Sequence, residues 1–252
     1  LGNTIILKHA RNSPQTAIAI ERLFRDAGLP ANVYTNVFST NQQIAEMIGD
    51  PRVQGVSLTG SERAGAAVGE VAGRHMKKYV LELGGSDPFI VFGDADIENA
   101  AAAAAVGRFT NAGQACTASK RFIVHSAVYD DFLARFIEHS RAFIPADPTA
   151  EATKMGPLSS EAARADLEDI VKDATERGAR VHLGGASPGM KGAWYPATIL
   201  SDVTEDMRAY NEELFGPAAV VYRAQDDDDA IRLANDSRYG LSSSIFTADP
   251  ER

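Results

Sequence analysis

The feature that most constrains this chain is a regular alternation of short, β-branched apolar runs with segments of helical period, punctuated by glycine and proline. Thr4–Leu7 has the composition of a buried strand. Ser13 then stands where a helix N-cap belongs, with Pro14 at the first helical position. A helix over Thr16–Ala27 places Ala17, Ile20, Leu23 and Phe24 on one face, and Gly28 with Pro30 ends it. The series continues with a strand at Val33–Phe38, a helix at Asn41–Ile48, a strand at Val53–Leu58, a helix at Ser61–Arg74 and a strand at Tyr79–Leu83. Strands that alternate with helices at this spacing predict a parallel sheet covered on both faces.

A second α/β region begins near Gly84-Gly85. Strands are predicted at Phe89–Phe92, Phe122–Val124, Val181–Leu183, Thr198–Ile199, Ala218–Tyr222 and Ser242–Phe246. Helices are predicted at Ile97–Phe109, Val128–Phe143, Ser160–Arg177 and Asp227–Ala234. The Ala100–Ala105 run predicts tight helix packing, and Asp226–Asp229 supplies the negative charge that suits a helix start. The expected architecture is therefore α/β with three layers and parallel sheets, divided into residues 1–84 and 85–252.

Composition narrows the function. A net charge of −9 repels phosphate backbones, which argues against nucleic acid and anionic membrane as partners. No apolar run approaches the ~20 residues of a membrane span, and no signal peptide opens the chain. The single cysteine allows no internal disulfide, and a free thiol fits a reducing cytosol, so a cytoplasmic location is expected. The five histidines are scattered without metal-ligand spacing. The chain starts without Met and stops just after an apparent strand, so the natural protein is expected to be longer.

Several residues could carry chemistry. Cys116 follows Asn111-Ala112-Gly113-Gln114-Ala115. It reads either as a small buried hydrophobe or as a nucleophile whose small neighbours let a carbonyl substrate approach. A backbone N–H beside it could hold an oxyanion. Glu82, in Leu81-Glu82-Leu83-Gly84-Gly85, reads either as a strand-end residue satisfied by backbone or as a buried general base. Thr59-Gly60-Ser61 joins a strand to a helix, a junction that can take a phosphate, although the Gly-x-Gly-x-x-Gly fingerprint is absent. Lys8 ends the first strand, where dinucleotides lie in parallel sheets, or is a solvated surface lysine. Glu212-Glu213-Leu214-Phe215-Gly216-Pro217 reads alone as a loop entering a strand.

The order of these pieces is distinctive. Gly2-Asn3-Thr4-(x)3-Lys8, Ala27-Gly28-Leu29-Pro30, Thr59-Gly60-Ser61, Leu81-Glu82-Leu83-Gly84-Gly85, Gly113-Gln114-Ala115-Cys116, Glu212-Glu213-Leu214-Phe215-Gly216-Pro217 and Asn235-Asp236-Ser237 with Tyr239-Gly240-Leu241 together resemble the aldehyde dehydrogenase superfamily. The resemblance covers essentially the whole chain. It implies the second part of an NAD(P)-binding domain over residues 1–84 and a catalytic domain, lacking its C-terminal end, over 85–252. It also implies an oxidoreductase in which Cys116 forms a thiohemiacetal and then a thioester, and Glu82 activates the hydrolytic water. Lys8 would touch the adenine ribose, Gly60 and Ser61 the pyrophosphate, and Glu213 the nicotinamide ribose. Phe215, Leu83 and Gly84 would lie near the nicotinamide ring.

Within the superfamily, Leu83–Val91 with Lys120-Arg121-Phe122-Ile123 is most similar to bacterial succinate-semialdehyde dehydrogenases. Arg11 stands where NAD-preferring members commonly carry glutamate, so NADP is expected to be accepted and preferred, with NAD as the alternative. The resemblance further implies a homodimer or homotetramer. The family's oxyanion-hole asparagine belongs to a Pro-Trp-Asn segment that this sequence does not contain. Two other readings stand beside this one: a non-catalytic protein on the same fold, and a CoA-acylating relative in which a thiol replaces water.

Overall fold

The computed structural model describes residues 2–249 and 251. The chain divides into two compact units, Leu1–Leu83 and Gly84–Arg252.

In the first unit the order is β1 (Ile5–Leu7), α1 (Pro14–Asp26), β2 (Tyr34–Asn36), α2 (Asn41–Gly49), β3 (Gly55–Thr59), α3 (Glu62–Arg74) and β4 (Lys78–Glu82). The alternation read from the sequence is there, but one continuous sheet is not. β1 pairs in parallel with β2, and β3 in parallel with β4, as two separate two-stranded sheets. Each pair is closed by its own crossover helix, the connection parallel strands require, and periodicity does not report which pairs join. The helix starts differ in detail. Thr40 caps α2 with a reciprocal Thr40–Gln43 capping box, and the Ser61 hydroxyl caps α3 by accepting from Ala64 N at 3.3 Å. Ser13, expected to cap α1, sits at the N-cap with a ψ of 44°, and its hydroxyl donates back to the Ala10 carbonyl. That backbone lies outside the extended region in which a cap side chain faces the helix N–H groups.

The second unit holds β5 (Pro88–Val91), α4 (Ile97–Phe109), β6 (Arg121–His125), α5 (Tyr129–Ser140), α6 (Glu161–Glu176), β7 (Arg180–Leu183), β8 (Thr198–Ser201), α7 (Arg208–Asn211), β9 (Ala218–Ala224), α8 (Asp227–Asn235) and β10 (Ser244–Phe246). Its six strands form one sheet in the order β10-β5-β6-β9-β8-β7. All neighbours are parallel except β7, which runs antiparallel to β8. The loop between β7 and β8 contains no helix, so the chain turns back on itself and cannot pair in parallel.

One face of this sheet carries the main core with α4, α5 and α6, and the other packs Ile90, Phe92 and Ile123 against Ala230 and Leu233 of α8. The alanine run packs as expected, with Ala100, Ala101, Ala104 and Ala105 all buried. Phe122 and Phe136 lie 4.7 Å apart, centroid to centroid, and Phe132 and Phe136 5.6 Å, a separation at which ring pairs add attraction beyond buried area.

Candidate active site

Register places the chemistry of the second unit. β5, β6 and β9 are adjacent and parallel, with Pro88 opposite Arg121 and Arg121 opposite Val220. The segments that feed these strands therefore arrive together at the N-terminal ends of the strands: Gly84-Gly85 before β5, Gly113–Lys120 before β6, and Glu212–Pro217 before β9. There the Gly85 N–H donates to Glu213 Oε1 at 3.0 Å. A Cβ at Gly84 would stand 2.5 Å from Glu213 Oε2, and one at Gly85 would stand 2.6 Å from the Cys116 carbonyl oxygen. No side chain can occupy either position without displacing the Glu213 carboxylate or the Cys116 backbone. Cys116 itself lies half-buried in a turn. Phe215 is largely exposed beside the buried Leu214.

The turn that carries Cys116 begins in an unusual backbone. Asn111 and Ala112, after α4, have φ of 54° and 53°, and Gly113 follows with φ 69°. Left-handed geometry at a non-glycine residue costs of the order of 1–3 kcal/mol and persists only where the surroundings dictate it. Here they do. Asn111 Nδ2 donates to the Gln114 carbonyl at 3.0 Å, Gln114 Nε2 donates to the Asn111 carbonyl at 3.1 Å, and Gln114 Oε1 accepts from Ser159 N at 2.8 Å. Any Cβ at Gly113 would overlap the Gly216 carbonyl and the Arg108 guanidinium.

Two buried cations hold these loops. Arg108 of α4 is fully buried, and burial pushes its pKa down. Its guanidinium donates to the carbonyls of Ser119 (3.1 Å), Gly113 (2.8 Å), Leu214 (3.1 Å) and Gly216, so one side chain ties the thiol loop to the Glu213 loop. Lys120 Nζ donates to the carbonyls of Cys116 (3.0 Å), Ala118 (3.0 Å) and Ala115 (3.3 Å), and stands 3.4 Å from Glu213 Oε1. Asp87 is also buried. Its Oδ1 accepts from Ser242 N at 3.1 Å and its Oδ2 has no partner among the described residues. Burial raises its pKa. None of these three was singled out from sequence as a site residue. The available signal was a pair of cations, Lys120-Arg121, leading straight into an apolar strand, where buried charge must find partners.

In the first unit, the residues predicted for the site fall into two groups. Gly60, Ser61 and Glu82 lie at the carboxyl ends of β3 and β4: Thr59 is opposite Glu82 and the Gly60 N–H donates to the Glu82 carbonyl at 2.9 Å. Gly65, one turn into α3, faces Leu83, since a Cβ there would lie 2.6 Å from a Leu83 methyl. Of the two readings of Glu82, the buried one is not what the structure shows. β4 is exposed along most of its length and the Glu82 side chain is exposed with it. A two-stranded sheet presents only one partner to each strand, so an apolar run there does not enclose its neighbours.

The other group surrounds an open depression of about 280 Å³ lined by Lys8, His9, Arg11, Ser39, Thr40 and Gln43, among others. Two of its polar atoms, His9 Nε2 and Ser39 Oγ, are buried without a partner among the described residues. With the N-terminus of α2 and two cations on the same rim, this is a cradle that fits a phosphate-bearing ligand. His9 and Ser39 carry no sequence signal as site residues. Among the described residues there is no group of three or more His, Cys, Asp or Glu able to hold a metal, and no helix long and apolar enough to cross a membrane.

The profile of the aldehyde dehydrogenase family matches residues 1–252. The NADP(+) succinate-semialdehyde dehydrogenase of Deinococcus radiodurans is 54% identical over 252 residues, covering 100% of this chain and 53% of that protein. The succinate semialdehyde dehydrogenase [NAD(P)+] Sad of Escherichia coli is 46% identical, covering 98% and 54%. Among solved structures, Gox0499, studied for cofactor and substrate selection, superposes with a TM-score of 0.97 at 47% identity, covering 100% of this chain and 55% of that one. The succinic semialdehyde dehydrogenase of Streptococcus pyogenes in complex with NADP+ superposes at 0.93 and 41% identity, covering 99% and 55%. The chain thus spans about half the length of the relatives it matches.

Proposed function

We propose, because the chain belongs to the aldehyde dehydrogenase family, that it carries the thiol, the base and the nucleotide contacts for oxidation of an aldehyde to its acid with NADP. Succinate semialdehyde is the substrate that the names of its relatives favour. The observation that carries this reading is the convergence of the Cys116 turn, the Gly84-Gly85 segment and Glu213 at the N-terminal ends of β5, β6 and β9, with glycines where any side chain would push the others apart.

In this reading the Cys116 thiolate attacks the aldehyde carbon, and the resulting oxyanion is met by donors of the turn. The bound cofactor supplies the acceptor for the hydride that this carbon loses. An acyl thioester then remains on Cys116. Glu82 takes a proton from the water that attacks it, which releases the acid and restores the thiol. An exposed carboxylate at a strand end keeps access to water, as this step needs. Glu213 accepts from the ribose hydroxyls and Phe215 lies against the nicotinamide; Leu83 and Gly84 form the wall behind it. Lys8 and Arg11 hold the adenine ribose and its phosphate in the depression whose lining includes His9 and Ser39, while Gly60 and Ser61 meet the pyrophosphate at the start of α3.

Cys116→Ser in the whole enzyme tests the reading. Turnover of succinate semialdehyde should fall by orders of magnitude while the NADP dissociation constant stays within a factor of about two, since a residue met only in the reaction leaves ground-state binding alone. Unchanged turnover would remove Cys116 from the chemistry.

A further inference from the structure

The Lys120 side chain touches both the backbone of the Cys116 turn and the Glu213 carboxylate. It is 1% exposed, and Glu213 is 18% exposed. Burying an ion pair of this kind does little for stability on its own, because desolvation offsets the attraction; an apolar residue of similar size is often as good or better. A buried lysine with this set of contacts therefore has to be explained by what it holds in place.

We infer that Lys120 is a positioning residue: its ammonium fixes the Cys116 turn and the Glu213 carboxylate in one arrangement, so that the hold on the cofactor ribose and the placement of the thiol are set together. The inference rests on the reading of Glu213 as the ribose contact. The geometry supports it in three ways. The three carbonyls that Lys120 binds belong to residues 115, 116 and 118, which leaves the turn little freedom about the thiol. Glu213 Oε1 is shared between Lys120 Nζ and the Gly85 N–H, which leaves Oε2 as the oxygen facing Gly84. Gly85 in turn is pressed against the carbonyl of Cys116 that Lys120 also binds. The three segments close a ring, and Lys120 is the charged group in it.

The charged groups that face Lys120 are Arg108 from α4, Asp87 from the segment entering β5, and Glu213 from the segment entering β9. Burial, followed by the Arg108 charge, pulls the Lys120 pKa down to about 8, against the pull of Glu213 and Asp87. The hold on Glu213 is therefore present at neutral pH and is released as pH rises through about 8. Stability moves the other way. The unfolded lysine keeps its proton to higher pH, so between about 8 and the ordinary lysine value the unfolded state binds more protons and this group adds to stability as pH rises.

The test is a double-mutant cycle on NADP binding in the whole enzyme, by fluorescence titration without aldehyde, with Lys120→Met, Glu213→Gln and the double variant. Each single change should weaken NADP binding on the order of tenfold, and the double should be no weaker than the weaker single, because both remove one contact. Losses that multiply, or a Lys120→Met enzyme that binds NADP like the unaltered one, overturn the inference. At saturating NADP, Lys120→Met should also turn over severalfold more slowly, and a wild-type rate there would remove the thiol half of the claim. Should Lys120→Met fail to fold, the unaltered enzyme decides: its NADP affinity should fall as pH rises through about 8, and Glu213→Gln should flatten that dependence. A flat profile in the unaltered enzyme overturns the inference. Because the binding measurements use no aldehyde, an enzyme that shows the coupling yet oxidises no aldehyde would contradict the proposed function instead.

Discussion

In residues 84–252 the inner strands β5, β6, β8 and β9 are almost wholly buried, and Phe122, Ile123, Val124 and Val220 have no exposed surface. In residues 2–83 the strands alternate or lie open: Ile5, Ile6, Tyr79 and Val80 are each more than half exposed, and Ala17, Ile48 and Ala72 are the buried apolar residues described. Both regions carry residues proposed for one reaction, but they hold them by different means. In the second, the thiol loop and Glu213 are fixed by buried cations and by glycines with no room for a side chain. In the first, Lys8, Arg11, Gly60, Ser61 and Glu82 sit at strand ends and helix starts, where position follows from backbone pairing and not from enclosure.

The largest effect expected from this contrast lies at Arg108. Arg108→Met would leave the carbonyls of Gly113, Ser119, Leu214 and Gly216 without this donor. An unsatisfied buried acceptor costs about 1–3 kcal/mol, so the second unit should lose at least about 3 kcal/mol in denaturant unfolding. A loss below about 1 kcal/mol would mean that the loops hold themselves.

Next comes Arg11→Glu in the first unit. A guanidinium is worth about 1.5–3 kcal/mol to a phosphate when well placed, and the exposure of Arg11 brings the expectation to the lower end. The ratio of kcat/KM for NADP over NAD should fall about tenfold or more. An unchanged ratio would show that Arg11 points away from the nucleotide.

The smallest effect is a matched pair. Val221→Ala, at a site 1% exposed, should cost about 2 kcal/mol through lost burial and a cavity. Val80→Ala, at a site 59% exposed, should stay within about 0.5 kcal/mol in this chain. Equal costs would erase the contrast between the two regions.

Much of this was legible in the sequence, and what was not has identifiable causes. The helices at 97–109 and 161–176 and the inner strands follow from period and from glycine and proline stops. Gly28 ends α1 with φ 86°, as a left-handed stop requires. Strand pairing was less legible: nothing local says that β2 and β3 do not pair, or that β7 runs backwards. The left-handed Ala112 has no sequence signature, because alanine avoids that geometry and adopts it here only under tertiary constraint. The leucines flanking Glu82 left a strand-end and a buried reading equally open, and only the fold shows that the strand carrying it is open. Nothing in the sequence marks Arg108, and only the fold shows that four carbonyls meet there. The order of the motifs named the candidate residues; the buried groups around them became visible only in three dimensions.

The central claim, that Cys116 carries the acyl group and Glu82 the water that removes it, can be tested by catching the intermediate. The whole enzyme with Glu82→Gln is mixed with NADP and succinate semialdehyde, quenched in acid within seconds, digested and weighed by mass spectrometry. The account predicts a burst of NADPH of about one equivalent per site, slow turnover after it, and a succinyl adduct on the peptide that contains Cys116. Full steady-state turnover with no adduct on that peptide would contradict it.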